Sequence, residues 1–188
     1  MAATPITYVR HAMAVQTDGV HPTEWHLDDA ARADAARMAA QLEVTPAIGC
    51  LVSSTEPKAL ETAEAVAERW GAALIADAGL REAVRPWIGP GYRAVVHRYL
   101  RGELPEGWEP HADVEARMAA SIEAATELAA GRPVVVVSHG LSLALHLCDR
   151  LGRDFDRESF WSSLAFPDAW VLDGSGTLHR PAARARAV

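Results

Sequence analysis

Lysine is all but missing from this chain of 188 residues: seventeen of its eighteen basic side chains are arginine, and the one lysine stands at position 58, within SSTEPKALETA (residues 53–63). Cysteine is nearly absent too. Cys50 in an apolar run and Cys148 in a helical one read as small buried side chains and exclude a disulfide framework, which fits a reducing compartment. No apolar run approaches the roughly 20 residues of a membrane span, and the opening MAATPITYVR has neither a basic leader nor a long apolar stretch. The expectation is a soluble, unexported, cytoplasmic protein. A basic excess is also lacking. With a formal net charge of −7 and a pI near 5.6, the chain does not read as a nucleic-acid binder or a partner of anionic membranes. Eight histidines are present, among them His21, His26 and His146, but no short-spaced His or Cys pattern of a zinc site. His21 and His26 read as pocket-mouth or solvent-facing residues and His146 as packed in a helix. Neither a metal nor a cofactor is expected.

What is present is apolar patterning. At 49% apolar content the chain can bury one sizeable core and is short for two domains. Three continuous apolar runs, PITYVRH (5–11), IGCLVSS (48–54) and PVVVVSHG (133–140), read as strands covered on both faces. Helical spacing covers about 28–42, 57–70, 111–130 and 141–151. AALIA (72–76) predicts a further strand, and DAWVLDGSGTLHRP a late hairpin or edge strand. Strands alternating with helices predict a three-layer α/β sandwich with a mostly parallel sheet covered by helices on both faces. One domain over 1–180 is expected, with a lid-like insertion at about 83–110, where prolines, glycines and tryptophans break the rhythm, and a frayed tail at 181–188.

In open parallel sheets, ligands bind at the carboxyl ends of the strands. Those ends carry Arg10-His11, Ser53-Ser54 and Ser138-His139. Three separate segments thus converge on a cationic pocket with nucleophiles.

The same residues carry a family likeness. YVRHA resembles the Arg-His-Gly signature of the histidine phosphatase superfamily, the phosphoglycerate-mutase-like proteins. SSTEPKALETA resembles its Ser-Ser-x-x-x-Arg-Ala-x-x-Thr-Ala segment, LREAVRPWIG its Glu segment and VVVVSHG its second His-Gly motif, all in the family's order and separation. The resemblance implies His11 as the nucleophile that takes the phosphoryl group, and Arg10, Lys58 and His139 as donors around the phosphoryl oxygens. Glu82 would protonate the leaving oxygen and then activate water, with no metal required.

Three departures stand out. Ala12 replaces the family's glycine, a costly exchange if that backbone is left-handed. Trp87 and Gly89 only echo the pattern after Glu82, and Lys58 replaces arginine. The function expected is a phosphomonoesterase acting on a small phosphorylated metabolite. A mutase, which returns the phosphoryl group to its substrate, and a non-catalytic binder of phospho-ligands are the alternatives. Oligomeric state is left open. Residues 81–101 hold five arginines against Glu82, a local +4 that predicts a second anionic group on the substrate held by the lid.

Overall fold

The computed structural model describes residues 4–42, 47–152 and 154–181. Among the described residues six strands form one sheet: β1 (Ile6–Arg10), β2 (Cys50–Ser54), β3 (Leu74–Asp77), β4 (Val134–Ser138), β5 (Asp168–Leu172) and β6 (Leu178–His179). The spatial order is β3-β2-β4-β1-β5-β6. The pairs β2–β3, β2–β4 and β1–β4 are parallel, while β5 runs antiparallel to both β1 and β6. The late hairpin is therefore present, but its first strand lies inside the sheet against β1, and its second, two-residue β6, forms the edge on that side.

Six α-helices among the described residues accompany the sheet: α1 (Asp29–Gln41), α2 (Pro57–Trp70), α3 (Tyr92–Leu100), α4 (His111–Ala129), α5 (Gly140–Leu151) and α6 (Arg157–Ser163). The valine run of β4 shows why the central strands read as continuous apolar stretches. Val134 and Val136 pack with α4 and α5, whereas Val135 and Val137 pack with α1 and α2 on the opposite face. Both faces are dry, so alternation is lost. A third cluster, Ala12, Ala14, Trp25, Leu27, Ala31 and Ala35, ties the segment after β1 to α1.

Local signals set the helix ends. Asp28 accepts from the Ala31 N–H at 2.8 Å to open α1, and Gly71 closes α2 with φ 60°, a left-handed value that glycine adopts without steric cost. Helix α6 has no counterpart in the sequence reading. Its seven residues bury only Phe160, too few for a 3.6-residue period to register. Both cysteines are free, but Cys148 is half-buried instead of buried. No helix among the described residues is long and apolar enough to cross a membrane. Residues 182–188 of the expected frayed tail lie outside the described residues.

Candidate active site

The parallel strands deliver their last residues to one edge of the sheet. Arg10 pairs in register with Ser138 at the ends of β1 and β4, so His11 and His139, one residue on, become neighbours. Their ring centroids lie 5.0 Å apart. Lys58 comes from the first turn of α2 just beyond β2, and Glu82 from the loop after β3 and a short 3-10 turn (Ala78–Leu80). All five line one cavity of about 260 Å³.

His11 is buried, and its Nδ1 lies 2.7 Å from the Ala12 carbonyl oxygen. A carbonyl only accepts, so Nδ1 carries the proton and Nε2 keeps its lone pair. Burial, reinforced by His139 and Lys58, holds this imidazole well below the ordinary histidine range. At neutral pH it is an uncharged base. His139 is depressed in the same way, first by burial and then by Lys58, and its Nε2 shares a 2.8 Å hydrogen bond with Ser54 Oγ. Burial lowers Arg10 to about 10, so its guanidinium stays charged at neutral pH. Arg10 Nη1 donates to the Leu164 carbonyl at 2.9 Å, and its Cζ lies 3.4 Å from the ring centre of Phe166. Gly140 allows this approach, since a β-carbon there would sit 3.1 Å from Trp161 Nε1 and 3.3 Å from Arg10 Cζ. Arg10 Nε and His139 Nδ1 are buried without a partner among the described residues.

Two carboxylates complete the floor. Glu82 accepts from the backbone N–H groups of Ser142 (3.0 Å), Leu141 (3.3 Å) and Ala83 (3.0 Å), capping α5 from a distant segment. Burial alone would raise this carboxyl, but Arg85 and the N–H donors outweigh it and bring it down to about 2. Glu56 is the second. It is 6% exposed, pairs with Lys58 Nζ, accepts from the Glu82 N–H at 2.8 Å and lies 3.4 Å from His139 Nε2. Lys58, 5% exposed, also donates to the Pro22 carbonyl at 2.7 Å.

Arg117 on α4 holds the Glu82 loop from behind. It donates to the carbonyls of Gly79 (2.7 Å), Arg81 (2.7 Å) and Glu82 (3.3 Å) and to both oxygens of Glu109. Sequence reasoning passed over Glu56 and Arg117 as site residues and reached Arg85 only as one of the five arginines of residues 81–101. For Glu56 there was a signal, an acid two residues before the only lysine; for Arg117, on a helix far from every motif, there was none.

A family profile, the histidine phosphatase superfamily (branch 1), matches residues 6–164. The chain belongs to the histidine phosphatase superfamily. A probable phosphoglycerate mutase of Yersinia enterocolitica is 24% identical over 166 residues, covering 75% of this chain and 77% of that protein. Among solved structures, YhfR of Bacillus stearothermophilus superposes with a TM-score of 0.72 at 24% identity, covering 97% of this chain and 96% of that one. A mycobacterial glucosyl-3-phosphoglycerate phosphatase with inorganic phosphate superposes with a TM-score of 0.65 at 25% identity, covering 90% and 89%.

The departures from the superfamily pattern now have physical readings. Ala12 is not left-handed, since Ala130 is the one described non-glycine residue with positive φ. Its N–H donates to Thr62 Oγ1 at 2.9 Å, so the chain carries no strain from the missing glycine. Lys58 stands where the family pattern has arginine, and here it is paired with Glu56. The five arginines of residues 81–101, expected to meet a second anion, divide into two that line the cavity and three that do not. Arg81 pairs with Glu109, Arg98 with Glu103 and Arg101 with Glu158, while Arg93 lies over the Trp161 ring. Arg81, although paired with Glu109, lines the cavity together with Arg85. His21 lines the mouth, His26 pairs with Glu61, and His146 is buried 3.2 Å from the Tyr8 hydroxyl.

Proposed function

We propose that this chain is a phosphomonoesterase that transfers a phosphoryl group from a small organic phosphate to His11 and then to water. The observation that supports it best is the His11–Ala12 contact, which leaves a neutral Nε2 lone pair in a cavity shared with Arg10, Lys58 and His139. Nε2 attacks phosphorus and the bond from phosphorus to the ester oxygen breaks. Arg10, Lys58 and His139 stand around the phosphoryl oxygens, where charge concentrates in the transition state. Water then attacks the phosphohistidine, its proton passes to Glu82, and the P–N bond breaks to release phosphate.

Glu82 must hold a proton to serve the leaving oxygen, yet it is ionised in the free protein. The substrate supplies the remedy. A phosphoryl anion placed beside a carboxylate raises that carboxyl's pKa by like-charge repulsion, and a phosphate monoanion carries a proton of its own. Glu82 therefore becomes the proton donor only in the complex.

Rapid quenching with radiolabelled 4-nitrophenyl phosphate should trap an acid-labile, base-stable phosphoryl group, absent in His11→Ala. Inorganic phosphate should accumulate with turnover. Full activity in His11→Ala would overturn the mechanism. Interconversion of phosphoglycerates without phosphate release would replace hydrolysis by the mutase activity named for the Yersinia relative.

A further inference from the structure

Above its charged floor the cavity changes character. Met13, Trp25, Val84, Trp87, Tyr92 and Phe166 supply the walls. Exposed large apolar side chains gather at this mouth: Met13 is 53% exposed, Val84 52% and Trp87 39%, with Ile88 at 40% beside them. Single exposed apolar residues are ordinary, whereas a cluster around a pocket marks a binding surface.

The aromatic members are held in one arrangement. Trp25 is anchored by its indole N–H to the Val20 carbonyl at 3.0 Å and meets Trp87 edge to face at 5.2 Å. Tyr92 supports Trp87 from the other side at 5.3 Å and itself stacks on Trp108 at 6.2 Å. Trp87 is thus braced on two sides yet open to solvent, a preformed apolar platform above the phosphoryl floor. Of the five arginines in residues 81–101, Arg93, Arg98 and Arg101 do not line the cavity. Arg81 lines it while paired with Glu109, and Arg85 lines it with its Nη1 donating to the Ala83 carbonyl at 2.8 Å. A carboxylate or phosphate seated against Trp87 itself would be desolvated by the indole ring.

We infer that the site takes phosphate esters whose alcohol half is an uncharged aromatic or flat apolar ring, seated on Trp87 between Trp25 and Tyr92. This rests on the phosphomonoesterase reading and names its substrate class. The polar neighbours at the mouth, Gln16 and Thr23, offer hydrogen bonds to a ring's edge without adding charge. Small-molecule pockets commonly combine such apolar walls with a few convergent polar groups.

The test compares 2-naphthylmethyl phosphate and benzyl phosphate with glycerol 3-phosphate and 3-phosphoglycerate. All four release alkyl alcohols, so leaving-group reactivity does not favour the ring, as it would in a nitrophenyl ester. Calorimetric titration with the non-hydrolysable 2-naphthylmethylphosphonate and phosphonoacetate runs beside the assay. The expected result is at least a tenfold higher kcat/KM for the naphthylmethyl ester than for either glycerol-based ester, and a matching preference in binding. Trp87→Ala should reduce that ratio about fivefold. Equal or better turnover of 3-phosphoglycerate would overturn the substrate class while leaving the phosphatase standing. Selective binding of the naphthylmethylphosphonate with no turnover of any ester would retain the ligand class and overturn the phosphatase. Neither turnover nor binding would overturn both.

Discussion

Helices α2 and α5 both start at the carboxyl edge of the sheet and aim their first turns at His11, yet their N-termini are built in opposite ways. At α5 the N-cap residue His139 makes no side-chain cap, and Glu82 reaches in from another segment to accept from Leu141 and Ser142. An anion meets the positive end of a helix dipole, the favourable arrangement. At α2 the N-cap residue is itself a carboxylate, but Glu56 turns away from its helix, and a cation, Lys58, sits in the first turn. That cation is tolerated because Glu56 pairs with it. The two ends are also linked, since Glu56 accepts the backbone N–H of Glu82 at 2.8 Å. One carboxylate therefore serves a helix and the other serves a side chain, and removing each should have different consequences.

The largest effect falls on the α2 side. Glu56→Ala leaves the Lys58 ammonium 5% exposed with a single carbonyl partner, and breaking a buried pair from one side typically costs about 3–5 kcal/mol. Urea denaturation should show that loss. The double replacement Glu56→Ala with Lys58→Met should recover most of it, because no charge is then left buried. Wild-type stability in Glu56→Ala would remove the distinction between the two helix ends.

On the α5 side the penalty is catalytic first. Glu82→Gln keeps an acceptor for the Ser142 N–H through its amide oxygen, loses the one for Leu141 and cannot carry the proton, so kcat should fall about a hundredfold. The carboxylate also contributes to stability in a pH-dependent way. Its folded pKa of about 2 lies below the ordinary 4.5, so the contribution is complete above 4.5 and is lost as pH falls towards 2. At one pKa unit per 1.36 kcal/mol this amounts to at most about 3 kcal/mol, and the acid unfolding of Glu82→Gln should be correspondingly shallower in that window. Identical acid profiles would mean that the N–H groups do not hold an ionised Glu82.

The two helix ends also differ in how far the sequence disclosed them. The strand ends were legible because a buried parallel strand is a continuous apolar run that stops at its first polar residues, which here are Arg10, Ser53 and Ser138. Pro57 announced the start of α2 and placed Lys58 in its first turn. The family resemblance singled out Glu82. What stayed hidden are contacts between segments: Glu82 capping a helix 59 and 60 residues away, Glu56 reaching the Glu82 N–H 26 residues on, and Arg117 holding three carbonyls of the same loop. Such pairings have no period and no local composition. The aromatic packing of the mouth was hidden for a related reason, because its walls come from the irregular segments around Trp25 and Trp87, whose orientation depends on Tyr92 and Val20.

The smallest effect concerns the link between the ends, and Lys58→Arg probes it. Lysine is a compact point charge, and Nζ fits between the Pro22 carbonyl and one oxygen of Glu56. The other oxygen is left for the Glu82 N–H. A planar guanidinium prefers to take both oxygens of a carboxylate at once, so arginine at this position would compete with that N–H. The larger group must also enter a site with almost no exposed surface, and overpacking costs about 1–3 kcal/mol. Positive charge beside the phosphoryl group is retained, so binding of inorganic phosphate should change little. The expected outcome is a kcat lower by less than about tenfold, or roughly 1.4 kcal/mol, arising from a loosened Glu82. KM for a common substrate should hold steady. The same replacement made in Glu56→Gln should show no further loss in kcat, because the bidentate competition is gone. An undiminished kcat in Lys58→Arg would mean that Glu56 does not couple the two helix ends, and that lysine and arginine are interchangeable there.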